Sequence, residues 1–133
     1  MGQAYSKERL FQAIDSNDFK TVKQLLAYDP GLVNEYFDSY KGSLPVMRPI
    51  WNNNIKMFDL LITFGADINK RTANGYTAVF FAAERGRTNI LTKLLEMQHC
   101  KIDLSTEKGL SPLDLAILNG YYNCALLLVK NVS

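Results

Sequence analysis

The sequence predicts an all-α solenoid of about four helix-turn-helix units joined by hairpin-like loops. Residues 75–95, GYTAVFFAAERGRTNILTKLL, hold two short apolar helices joined by a glycine. The pattern then recurs: Gly75 and Gly109, Thr77 and Ser111, and Gly86 and Gly120 are each 34 residues apart, while Gly42 and Gly75, Pro45 and Ala78, and Asn53 and Gly86 are each 33 apart. A period of that length marks a stacked array, in which each unit buries its apolar face only against its neighbours. The chain has 133 residues, 47% of them hydrophobic, which is one domain by size with ample material for a core. Within this single domain, residues 1–133, the units run from about 6–36, 37–70, 71–104 and 105–133.

In the first unit, Leu10, Phe11, Ala13 and Ile14 lie on one helix and Phe19, Val22, Leu25 and Leu26 on the next, at three-to-four spacing. Asn17 separates them, at the position that Asn53, Gly86 and Gly120 hold later. That is a helix C-terminal position wanting a left-handed backbone, for which glycine is best and asparagine next. Asp29, Pro30 and Gly31 stop the second helix, and a long connection runs through Tyr36, Phe37 and Tyr40 to Gly42. This insertion makes the first unit an atypical N-terminal cap.

The second unit opens with SLPVMRPIWNNN. Pro45 suits the first helical position, where its missing N–H is not needed. Pro49 would remove a backbone bond to residue 45 and push Arg48 away from α geometry, so this helix is expected to be distorted or cut short. In its partner helix Met57, Phe58, Leu60, Leu61 and Ile62 should pack inward. Thr77 and Ser111 are expected to cap the first helices of units three and four. The final helix carries Ala125, Leu126, Leu127, Leu128 and Val129 in an unbroken run, so some of these must point away from unit three. That open apolar face calls for further repeats beyond Ser133, for a partner, or for self-association.

Gly75, Thr77, Ala82, Ala83, Gly86, Leu94 and Leu95 form one motif, and Gly109, Ser111, Pro112, Leu113, Ala116, Gly120, Leu127 and Leu128 the next. Gly42, Pro45, Leu60, Leu61 and the run Gly65-Ala66-Asp67-Ile68-Asn69 form the one before, and Leu10, Ala13, Asn17, Val22, Leu25, Leu26, Val33 and Asn34 the first. This set resembles the ankyrin-repeat family over nearly the whole chain. The family's unit has a turn glycine, a Thr-Pro-Leu-His helix start, two alanines, a glycine, paired leucines and a Gly-Ala-Asp-Val-Asn exit. The histidine is replaced throughout, by Phe11, Met47, Phe80 and Asp114. The resemblance implies a scaffold that binds another protein against its hairpin tips and inner helices, with no cofactor.

Other classes are disfavoured. No run approaches the roughly 18 apolar residues of a membrane span, and the N-terminus has no apolar secretory core, so a cytoplasmic location is expected. Cys100 and Cys124 lie on different units and fit reduced thiols better than a disulfide framework. His99 is the sole histidine, too little for a zinc site. There is no phosphate-binding glycine loop and no nucleophile with a histidine base, so no catalytic residue is assigned and the chain is read as a non-enzyme. Residues 70–103 hold six cations, Lys70, Arg71, Arg85, Arg87, Lys93 and Lys101, against three anions, Glu84, Glu96 and Asp103. Nucleic acid would want a denser basic stripe, so the excess fits a solvated face or a protein partner with an acidic segment.

The start MGQAYS places Gly2 and Ser6 as the signal for N-terminal myristoylation requires, and Ser6 could equally cap the first helix. A single myristoyl chain gives only reversible membrane association. MGQAYSKERL and the helix pair after it are similar to the start of plant ankyrin and RING-finger ubiquitin ligases, which also begin Met-Gly and are myristoylated. That resemblance implies the alternative, a substrate-recruiting N-terminal part of a larger enzyme. The binding residues expected are those the repeat does not need for packing: Tyr40, Lys41, Asn74, Tyr76 and Lys108 at the tips, and Trp51, Arg85 and Leu118 on the inner helices. Tyr40, Trp51, Tyr76 and Arg85, with Arg48 and Arg71 nearby, form the expected patch, since aromatic and arginine side chains dominate binding hot spots.

Overall fold

The computed structural model describes residues 3–38, 42–102, 106 and 108–132, and the side chains from residue 6 to residue 131 within them. All regular structure among the described residues is helical: α1 (Gln3–Asp15), α2 (Phe19–Tyr28), a 3-10 helix (Pro30–Asn34), α3 (Met47–Asn52), α4 (Ile55–Thr63), α5 (Ala78–Arg85), α6 (Thr88–Leu95), α7 (Pro112–Leu118) and α8 (Tyr122–Val132). The chain packs as two compact units, Met1–Asp67 and Ile68–Ser133.

In the first compact unit α1 packs on α2 and α3, and α3 on α4. Leu10, Ala13, Ile14, Val22, Leu25, Leu26, Leu32, Val33, Met57 and Leu61 form one buried cluster, with Phe19, Leu60 and Phe64 at its margin. Each fully buried leucine or methionine there contributes about 1.5–3 kcal/mol. The turn between α1 and α2 is made by Asn17 at φ 62, and that between α3 and α4 by Asn53 at φ 56. Both helices that follow carry a side-chain cap. Asp18 accepts the Thr21 N–H at 3.1 Å and the Thr21 hydroxyl at 2.7 Å, bonds that hold its carboxyl below the usual carboxylate range. Asn54 accepts the Met57 N–H at 3.1 Å while its amide donates to the Asn17 side-chain oxygen at 2.7 Å. In the connection after α2, the Phe37 ring lies 4.7 Å from that of Phe11, so the insertion folds back onto α1.

Three sequence expectations need correction. Ser6 lies inside α1, which begins at Gln3, so it is not that helix's cap. Pro45 is not the first helical residue either: a turn through Pro45 and Val46 leads in, and α3 begins at Met47. That shift of two residues explains how Pro49 is tolerated, because the first four N–H groups of a helix have no intrahelical partner and Pro49 is the third residue of α3. The helix is short, six residues, as expected. Thr77 stands at the N-cap position of α5 but makes no capping bond, and its hydroxyl is buried without a partner. At the matching place before α7, Ser111 accepts the Asp114 N–H at 3.1 Å and Asp114 returns the bond to the Ser111 N–H at 2.9 Å. The residue three after Thr77 is Phe80, which is buried and has no oxygen with which to reciprocate.

In the second compact unit α5 packs on α6 and α7, and α8 on α6 and α7. Ala78, Val79, Phe80, Ala82, Ala83, Ile90, Leu91 and Leu94 are all fully buried. Gly86 and Gly120 take φ 71 and 76, as the repeat spacing predicts. Where Gly86 lacks a side chain the Tyr121 ring fills the space: a Cβ there would lie only 2.5 Å from the ring.

Asparagines tie the exit of one repeat to the next. Asn34 donates to the Gly65 carbonyl at 3.1 Å and accepts the Asp67 N–H at 2.7 Å. Asn69 repeats this, donating to the His99 carbonyl at 2.8 Å and accepting the Lys101 N–H at 2.9 Å. A side-chain amide carries one donor and one acceptor face, so one residue satisfies two backbone groups that the loop leaves open.

Candidate functional site

Two hairpin tips precede α5 and α7, and they are built alike. Ahead of α5, the Thr72 N–H donates to the Tyr76 carbonyl and the Gly75 N–H to the Thr72 carbonyl, both at 2.9 Å, with Gly75 at φ 85. Ahead of α7, the Thr106 N–H donates to the Leu110 carbonyl at 3.0 Å and the Gly109 N–H to the Thr106 carbonyl at 2.9 Å, with Gly109 at φ 76. Each threonine hydroxyl also accepts a backbone N–H across its tip, from Tyr76 at 3.2 Å and from Leu110 at 3.3 Å. Both threonines are buried. The tips are thus held from within, which leaves Ala73, Asn74 and Lys108 exposed between the clamps. The 34-residue spacing of Thr72 and Thr106 was the signal in the sequence for this device.

Asn74, Tyr76, Thr106 and Lys108 line a groove of about 170 Å³ on these tips. Three of the four, Asn74, Tyr76 and Lys108, are residues the sequence nominates. The fourth, Thr106, is not, and its hydroxyl is engaged with the Leu110 backbone. Lys108 and Asn74 are exposed. The groove therefore offers an ammonium, a primary amide and a phenol, a donor-rich set suited to a carboxylate.

The other nominated residues fare differently. Tyr40, Lys41 and Gly2 lie outside the described residues. Trp51 is 46% exposed at the end of α3. Arg85 is partly buried at the end of α5, and Leu118 is 70% exposed at the end of α7. These two helix ends are tied together by Asn119, whose amide donates to the Glu84 carbonyl at 3.2 Å. Asn119 is thereby used within the fold. Arg48 is also engaged: its Nε and a terminal nitrogen reach the two Asp15 oxygens at 3.0 and 2.7 Å. A bidentate pair of this kind leaves little charge for an acidic partner. Tyr76 is less dispensable to packing than the spacing suggests, since its ring meets Phe80 at 5.9 Å, edge on, and Phe81 at 5.4 Å.

Both cysteines are unpaired, with Cys124 buried beside Thr88 and Cys100 half-buried, where burial pushes its thiol pKa up. Among the described residues no three His, Cys, Asp or Glu side chains are grouped to hold a metal, and no helix is long and apolar enough to cross a membrane.

The repeated helix pairs, clamped tips and left-handed turns define a helical repeat protein of the kind that presents a surface to other macromolecules. Residues 46–133 match the ankyrin repeats (three copies), and the chain belongs to the ankyrin-repeat family. It is 30% identical over 123 residues to the target of rapamycin complex 2 subunit AVO2 of Saccharomyces cerevisiae, an alignment covering 91% of this chain and 29% of that protein. To the ankyrin repeat and SAM domain-containing protein 6 of Rattus norvegicus it is 29% identical over 110 residues, 82% of this chain and 12% of the relative. To the E3 ubiquitin-protein ligase XBAT33 of Arabidopsis thaliana it is 28% identical over 132 residues, 98% of this chain and 25% of the relative. The chain thus spans less than a third of the length of each of these relatives. Ankyrin repeats are units of protein–protein interaction, and that role holds for this chain.

Proposed function

We propose that this chain is a non-catalytic binding module that takes an acidic segment of a partner protein across its hairpin tips. The observation that carries the reading is the groove of Asn74, Tyr76, Thr106 and Lys108. A carboxylate there pairs with the Lys108 ammonium and accepts from the Asn74 amide, while the Tyr76 ring supplies a flat apolar wall. Displayed random peptides selected on the 133-residue chain should be enriched in Asp and Glu. Lys108→Glu should weaken the selected peptides by more than about 1 kcal/mol with an unchanged melting temperature, because the side chain is exposed. Selection without acidic enrichment, or equal binding by the charge-reversed chain, would sink this reading.

The module also carries its own address. Gly2 and Ser6 fit the myristoylation signal, which would give peripheral, reversible contact with a membrane from the cytosolic side. The chain expressed in a eukaryotic cytosol should show the mass of an added myristoyl group, and Gly2→Ala should remove it and move the protein to the soluble fraction. An unmodified N-terminus in the unaltered chain ends this part of the proposal.

A second reading, the substrate-recruiting part of a larger ubiquitin ligase, is supported by two relatives, one named an E3 ubiquitin-protein ligase and one a probable E3 ubiquitin-protein ligase. Both align with 98% of this chain but contribute 25% and 26% of their own length to the match. A Cys/His cluster at zinc spacing in the same reading frame distinguishes it from the free-standing scaffold.

A further inference from the structure

The outer face of the last helix pair is apolar and exposed. Ile117 and Leu118 end α7 at 53% and 70% exposure, and Tyr122, Leu126 and Val129 follow on α8 at 69%, 63% and 49%. The three on α8 are four and three residues apart, which is one stripe of a helix, while Cys124, Ala125 and Leu128 fill its buried side. We propose that two copies of this chain associate about a two-fold axis through this face, the Tyr122 ring of each covering Gly120 of the other.

Two observations favour a second copy. The first is a template within the chain: Tyr121 lies over Gly86, filling the room its missing side chain leaves. Gly120 repeats Gly86 after 34 residues with nearly the same backbone, φ 76 against 71, yet a Cβ there would meet nothing within 4 Å. The face thus holds both an open glycine cradle and, two residues on, an exposed ring able to fill one. A surface carrying both knob and hole is complementary to itself, as a two-fold interface requires.

The second is size and charge. The five exposed side chains offer on the order of 600 Å² per copy, so a pair would bury roughly 1,200 Å², the lower end of stable specific interfaces. Over residues 112–132 the charged groups are Asp114 and Lys130 alone, so two copies meet without net like charge.

Sedimentation velocity of the 133-residue chain across the micromolar range tests this. A reversible dimer is expected, and Leu126→Lys and Tyr122→Ser should each raise its dissociation constant by about tenfold or more with circular dichroism unchanged. Tyr28→Ser, at an 88% exposed apolar position on the first compact unit, should leave the dimer intact. A monomer at every concentration overturns the proposal. So does assembly that grows past the dimer, a dimer indifferent to both α8 substitutions, or one that Tyr28→Ser weakens equally.

Discussion

Gly86→Ala should destabilise the chain by about 3 kcal/mol, whereas Gly120→Ala should cost only about 1 kcal/mol. Both glycines sit in the left-handed region, where any L side chain carries a penalty of about 1–2 kcal/mol. The strain is therefore common to the two substitutions and cancels in the comparison. What differs is the neighbour: at Gly86 the new methyl would lie 2.5–2.8 Å from three atoms of the Tyr121 ring, and at Gly120 it meets nothing within 4 Å. Tyr121 is 41% exposed, so its ring can swing outward, but doing so forfeits its packing on the α5–α6 turn. Overpacking of this kind typically costs about 1–3 kcal/mol. Urea unfolding of the two variants, followed by circular dichroism, measures the difference directly. Equal losses would mean that the ring moves at no cost and that this contact does not help to hold the repeats in register.

The four inter-helix turns were legible in the sequence because each demand falls on one residue. Asn17, Asn53, Gly86 and Gly120 need a positive φ, few residue types tolerate it, and all four take it. The ring packing on Gly86 was not legible, since nothing local in Tyr121 says that it will lie on a glycine 35 residues earlier. The same holds for the Arg48–Asp15 pair, which withdraws from the binding patch an arginine the sequence had placed there. Pro45 and Pro49 were read with the helix starting two residues early. A proline's cost depends on where the first turn begins, and the lead-in turn before Met47 moves Pro49 from an interior position to a harmless one. In the candidate site, Asn74, Tyr76 and Lys108 could be nominated by their offset from the turn glycines, because a repeat separates packing positions from free ones. The groove itself depends on two tips being held in matching conformations by Thr72 and Thr106, whose spacing marks the repeat but whose backbone partners only the fold shows.

Phe80→Ala should be the most damaging single change near the site, lowering stability by about 3–5 kcal/mol and weakening peptide binding with it. Phe80 stands where the family motif has histidine, and it is fully buried in α5. Truncating a buried phenylalanine to alanine removes its transfer free energy and leaves a cavity, and the two together reach that range. The loss would not stay in the core, because the Tyr76 ring that lines the groove rests edge-on against Phe80 and beside Phe81. Without Phe80 the tip keeps its backbone bonds to Thr72 but loses one of the two ring contacts that orient its aromatic wall. Tyr76→Phe separates the two effects: it preserves both ring contacts and removes only the hydroxyl, so stability should change by less than about 0.5 kcal/mol. Phe80→His is the instructive third variant. It restores a polar group at the helix position from which Asp114 completes its capping box on α7, next to a Thr77 hydroxyl that is buried without a partner. A neutral imidazole bonded to that hydroxyl would offset part of the lost apolar burial, so Phe80→His should fall between wild type and Phe80→Ala. If thermal unfolding instead placed the histidine variant below the alanine one, the buried Thr77 hydroxyl would not be a usable partner. The phenylalanine would then be retained for a core that cannot accept the family's polar residue at all.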